Sequence, residues 1–125
     1  MSKRMEAAMQ LADHCWGRAN RVAPFFVERY LQLAEELLLH KPVVTGDEFR
    51  DYCAQNRLYR PKELHHNVWV SAVRALQQIG WIKPMGKVVP AQTHNHMDTV
   101  TMWQSQIYGE EPPHDRVTQV QDNLF

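Results

Sequence analysis

Cysteine is scarce in this 125-residue chain: Cys15 and Cys53 are the only two, and they fall in different amphipathic patterns. Nothing places them at metal-ligand or redox spacing, which excludes a disulfide framework, a zinc ribbon and a thioredoxin-like centre, and two reduced, half-buried thiols are expected. Long apolar runs are also missing. The longest is three residues, as in Leu37 to Leu39, against the ~20 needed to span a bilayer, so no membrane association is expected. The first ten residues carry Lys3, Arg4 and Glu6 without the apolar stretch of a secretory signal, and the expected location is the bacterial cytoplasm, at the nucleoid. Five glycines form neither a phosphate-cradling loop nor a nucleophile elbow. No catalytic residues, no metal and no cofactor are therefore assigned, and the expected protein is not an enzyme. At this length a single domain buries roughly two thirds of its unfolded surface, enough for a core without staples.

Excess charge is absent as well, since fourteen Lys and Arg balance fourteen Asp and Glu. The neutral total hides an uneven distribution. Between Glu28 and Asp51 six acids face three bases, for a balance of −3, whereas between Arg57 and Lys87 six bases face the single acid Glu63, for +5. From Gly109 to Phe125 four acids face Arg116, for −3 again. A basic middle attracts polyanions whatever the total charge, and a nuclease would need more than one carboxylate in it.

Helical periodicity dominates the first two thirds. Met5, Ala8, Met9, Ala12, Cys15, Trp16 and Ala19 predict one helix from about Arg4 to Asn20, extra to the domain from 23 to 108 and packed on it, on a second copy or on another protein. A second helix opens at Pro24, buries Phe26, Val27, Tyr30, Leu31, Ala34, Leu37 and Leu38, and ends near His40; Glu35 and Glu36 read as surface charges. Thr45 and Glu48 form a capping box that starts a third helix with Phe49, Tyr52 and Cys53 inside. After a basic link from Arg57 to Pro61, a fourth helix is expected from about Glu63 or Asn67 to Gln78, stopped by Gly80. The period then shortens. Trp81 to Pro84, Val88 and Val89, and Thr99 to Trp103 read as a β-ribbon of two or three strands with a polar loop from Pro90 to Asp98.

This order is that of a mainly α, α+β winged helix-turn-helix. On the fourth helix Trp69, Ala72, Val73 and Leu76 make the apolar stripe, and Asn67, Ser71, Arg74 and Gln78 lie opposite it. Those side chains suit base edges: Asn and Gln pair with adenine, Arg with guanine, Ser with either. Arg60 and Lys62 before the helix and Lys83 and Lys87 on the ribbon are placed to flank phosphates. Asn67 is expected to cap the helix or to touch a base. His94, His96 and Asp98 on the ribbon loop, and His65 and His66 before the helix, lack a nearby cysteine, so no metal is assigned, and the wing-tip histidines His94 and His96 are expected near DNA phosphates.

The run from His65-His66-Asn67-Val68-Trp69 through Gly80-Trp81-Ile82, Gly86 and Val100-Thr101-Met102-Trp103-Gln104-Ser105 resembles small winged-helix proteins of bacteriophages and prophages, over about Thr45 to Tyr108. The resemblance implies a fold and a mobile-element setting rather than a mechanism. The last five residues, Gln121-Asp122-Asn123-Leu124-Phe125, resemble the Gln-x-x-Leu-Phe peptide that binds the bacterial DNA polymerase III sliding clamp, its beta subunit. There Gln121 would set register by hydrogen bonds, Asp122 stands where many such motifs have Leu, and Leu124 and Phe125 would fill an apolar pocket. The stretch from Gly109 to about Gln119 reads as a flexible acidic tail whose ~11 residues reach about 18 Å. If the tail instead folds back, Leu124 and Phe125 dock on the domain's own core.

The expected function is thus a DNA-binding protein tethered to the host clamp, acting on double-stranded DNA in replication, recombination or repair. Two alternatives stand beside it: a transcriptional regulator that reads an operator as a homodimer, and a protein-interaction module or clamp inhibitor.

Overall fold

The computed structural model describes residues 2–90 and 99–110, with backbone alone for 87–90 and 99–100. Helix α1 spans Lys3–Cys15 and is capped by Ser2, whose hydroxyl accepts the Met5 N–H. The expected continuation to Asn20 is interrupted. Trp16 leaves the helical region (φ −141°, ψ 38°) and a separate short helix, α2, covers Gly17–Val22. The cause is tertiary: the Trp16 ring packs edge-on to Tyr30 and Phe26, at 5.4 and 6.0 Å between centroids, and its indole N–H donates to the Ser71 hydroxyl at 3.1 Å. The apolar stripe itself is as expected, with Met5, Ala8, Ala12, Trp16 and Ala19 buried and Met9 and Cys15 packed against the core. This stripe covers the protein's own domain.

Helix α3 (Pro24–His40) is the central element, with Pro24 in its first turn, where a missing N–H costs nothing. It buries more than one face. Leu33 and Leu39 are inside along with the expected Phe26, Val27, Tyr30, Leu31, Ala34 and Leu38. Glu35, which sequence places on the surface, is only 2% exposed. Its carboxylate accepts hydrogen bonds from Ser2 Oγ and Arg4 Nε, both at 2.9 Å, and the pairing with Arg4 makes burial tolerable. Glu36 is half-buried and accepts the Tyr52 hydroxyl at 3.1 Å.

Strand β1 (Val43–Thr45) is a third strand that the sequence did not mark out. The capping box follows as expected: Thr45 accepts the Glu48 N–H, the Glu48 side chain accepts the Thr45 N–H, and helix α4 runs over Gly46–Gln55 with Phe49 and Cys53 buried. Helix α5 spans Val68–Ile79 and ends at Gly80 in the left-handed region. Strands β2 (Ile82–Pro90) and β3 (Thr99–Ser105) close an antiparallel sheet of order β1-β3-β2. Val44 and Pro84 both face Trp103, and the β2 register shifts between Pro84 and Val88, where Gly86 takes φ +72°. That is a bulge in an otherwise regular ribbon.

The end of β3 and the segment after it are stitched to the C-terminal end of α3. The Ser105 hydroxyl donates to the Leu38 carbonyl at 2.7 Å, and the Gly109 N–H to Leu39 at 3.2 Å. Ile107 is buried between them in sequence. The expected ribbon loop with His94, His96 and Asp98, and the tail with Gln121, Asp122, Leu124 and Phe125, lie outside the described residues.

Candidate nucleic-acid interface

Helix α5 presents a mostly polar face because its apolar residues other than Val70 are turned inward. Val68, Ala72, Ala75 and Leu76 are buried and Trp69, Val73 and Ile79 pack partly against the same core. Trp69 is held by Phe26 and Tyr30, at 5.6 and 6.3 Å between centroids. What remains outside is Asn67, Val70, Arg74, Gln77 and Gln78, positions that recur on one side of a 3.6-residue period. Of the expected base-reading set, Asn67, Arg74 and Gln78 are on this exposed face. Ser71 is not freely available: it is half-buried, accepts the Trp16 indole N–H and turns its own hydroxyl to the Val68 carbonyl at 3.0 Å. The break between α1 and α2 thus takes up a side chain that sequence assigned to DNA.

The cap expected from Asn67 is absent. Asn67 stands at the head of α5 in a helical conformation, makes no side-chain cap bond, and instead its N–H donates to His65 Nδ1 at 3.1 Å. That bond requires the Nδ1 of His65 to be the unprotonated nitrogen. The His65 and His66 rings stack at 4.0 Å between centroids. A cleft of about 340 Å³ opens beside them, lined by Trp16, Arg18, Leu64, His65 and Ser71 among others.

The flanking cations divide into two groups. Arg60 turns its Nη1 back onto the carbonyl oxygens of Leu64 and, at 3.4 Å, Pro61, so the residue expected on a phosphate is also a brace for the segment that leads into α5. Lys62, Arg74 and Lys83 are exposed and make no ion pair among the described residues. For Lys87 the backbone lies in β2 and the side chain is outside the described residues. Two further cations stand near this face: one that the sequence reading missed, and one that it counted in the basic link without assigning it a contact. Arg50 on α4 lies over the Trp69 ring, 5.9 Å from its centroid, and Arg57 is exposed where α4 ends. Gln77 was also missed, although it is three residues from Arg74 and the same period points to it.

The thiols are quiet. Burial pushes Cys53 up to about 12, against a lesser opposing pull from Arg29, and burial also raises Cys15. Neither is a thiolate nucleophile near neutral pH. Among the described residues no three of His, Cys, Asp and Glu group as metal ligands, and no helix is long and apolar enough to cross a membrane. No protein-family model, curated protein or solved structure matches this chain.

Proposed function

We infer that the protein is a winged-helix DNA-binding protein of phage or prophage type, tethered through its C-terminal peptide to the host sliding clamp. The observation that carries the DNA reading is the exposed face of α5. It offers Asn67, Arg74, Gln77 and Gln78 with Lys62 before it and Lys83 on the adjoining ribbon. The element order α3, β1, α4, α5, β2, β3 with sheet order β1-β3-β2 supports the fold name, because it hangs a two-strand wing directly behind the last helix. Amides and Arg74 in the major groove would read bases, and the lysines would neutralise phosphates. Duplex affinity of this kind is modest and salt-sensitive, and a clamp-binding tail compensates by raising local concentration.

The clamp part rests on Gln121, Asp122, Leu124 and Phe125, which follow an acidic stretch at the end of the sequence. Titration calorimetry with purified clamp, paired with anisotropy on a labelled duplex, tests both halves. The full chain binds both partners, and a chain ending at Asn123 keeps duplex binding and loses the clamp. Loss of neither would sink the tether, and no duplex binding by either chain would sink the DNA reading. The protein-interaction alternative draws on Phe25, 87% exposed, and Val22, 43% exposed, on adjoining turns. Clamp binding without duplex affinity is its mark.

A further inference from the structure

Two helices of this protein end in the same way but with different residues. At the end of α5 the N–H of Gly80 donates to Leu76 and Gln77, each at 3.1 Å, and the N–H of Trp81 donates to Leu76 at 3.0 Å. At the end of α4 the N–H of Arg57 donates to Ala54 at 3.0 Å and that of Leu58 to Cys53 at 2.8 Å. Both closures bond a residue five positions on to the last turn, the Schellman arrangement, and both need one residue in the left-handed region. In α5 that residue is Gly80, at φ +96°; in α4 it is Arg57, at φ +61°, the one non-glycine residue with positive φ among the described residues. A β-carbon in that conformation crowds the following carbonyl, a penalty glycine escapes. Where a turn asks for glycine and holds arginine, the side chain is being kept at a conformational cost.

Inside the fold that side chain has no task. The Arg57 side chain is exposed and makes no hydrogen bond or ion pair among the described residues. Arg60, three residues on, is engaged with backbone carbonyls, and no acid intervenes between Arg57 and Glu63. Leu58, immediately after Arg57, packs against the core and fixes the turn that presents it.

We propose that Arg57 is a phosphate-binding residue, its guanidinium held out from the α4 terminus to grip the backbone of a nucleic-acid duplex docked on α5. This rests on the DNA reading above and adds a contact from the turn before α5. A guanidinium suits the task because its planar fork bonds two phosphate oxygens at once and never loses its charge. The duplex is favoured over an acidic protein surface because the exposed residues beyond the turn, Lys62, Asn67, Arg74, Gln77 and Gln78, are those that bond phosphates and base edges.

The test compares the full chain with Arg57→Gly and Arg57→Lys, by thermal unfolding and by anisotropy on a labelled mixed-sequence duplex of 20 base pairs from 50 to 200 mM salt. Arg57→Gly relieves the turn and melts about 2–5 °C higher. It also binds the duplex about five- to tenfold more weakly at the lowest salt, with the slope of log K against log salt shallower by about one. Arg57→Lys keeps the wild-type slope and melting temperature. An Arg57→Gly chain with wild-type affinity and slope would overturn the proposal, as would one that melts lower. If the wild-type chain itself binds no duplex, the DNA reading has failed and this proposal falls with it, a result distinct from Arg57→Gly binding the duplex as tightly as the wild-type chain.

Discussion

Glu35 joins three parts of the chain at one carboxylate. Ser2 and Arg4 donate to it from the start of α1, and Arg4 reaches on to Glu110 at 3.0 Å. Its replacement by alanine removes the buried acceptor, 2% exposed, of both the Ser2 hydroxyl and the Arg4 Nε. Such half-broken buried pairs are costly. We expect Glu35→Ala to lose about 2–4 kcal/mol in urea unfolding, and a loss below about 0.5 kcal/mol would show that the cluster is incidental. Sequence could not single this residue out, because Glu35 and Glu36 look alike as neighbours and only the approach of Arg4 from 31 positions away distinguishes them. Thr45 and Glu48 were legible for the opposite reason: their bonds are local, three residues apart, and the motif is its own partner. At the proposed interface Arg74 and Gln78 were legible from the period of α5, whereas the diversion of Ser71 to Trp16 depends on a contact across 55 positions.

The elements divide along the same line. Helices α3, α4 and α5 follow from periodicity and end signals, since Pro24, the capping box and Gly80 sit where the chain enters or leaves a helix. Strand β1 is three residues long, too short for alternation to register, and is fixed by pairing Val44 with Trp103. The break at Trp16 escaped because a helical stripe runs through it unbroken; the aromatic contacts with Phe26 and Tyr30 override the local preference. Since α1 and α2 bury Met5, Ala8, Ala12, Trp16 and Ala19 in the common core, they are structural members of the domain rather than a detachable arm. Removal of residues 1–22 takes Trp16 from Phe26 and Tyr30 and strands Glu35. A chain beginning at Ala23 should therefore show no cooperative thermal transition by circular dichroism. A sharp transition near that of the full chain would instead make the first two helices an accessory.

On the scale of the whole molecule, the protein combines a helical core around α3, a small sheet stitched to the end of that helix, and one helix, α5, whose outer side is polar and flanked by cations. The neutral total charge conceals this arrangement, because three acids of α3 and α4 are engaged in internal contacts, Glu35 with Arg4, Glu36 with Tyr52, and Glu48 with Lys41 and with the Thr45 N–H. Lys62, Arg74, Lys83 and Arg57 are exposed and form no ion pair among the described residues. About four phosphate contacts, from Lys62, Lys83, Arg57 and Lys87, fix the expected salt dependence. The most direct test is anisotropy of a labelled 20-base-pair duplex titrated with the full chain and with Arg74→Ala between 50 and 200 mM salt. We predict a slope of log K against log salt of about −4, a roughly 200-fold loss of affinity over that range, and a further loss of about tenfold on Arg74→Ala. Absence of saturable binding at 50 mM salt, or binding that neither salt nor Arg74→Ala weakens, would contradict the assignment of α5 as a nucleic-acid interface.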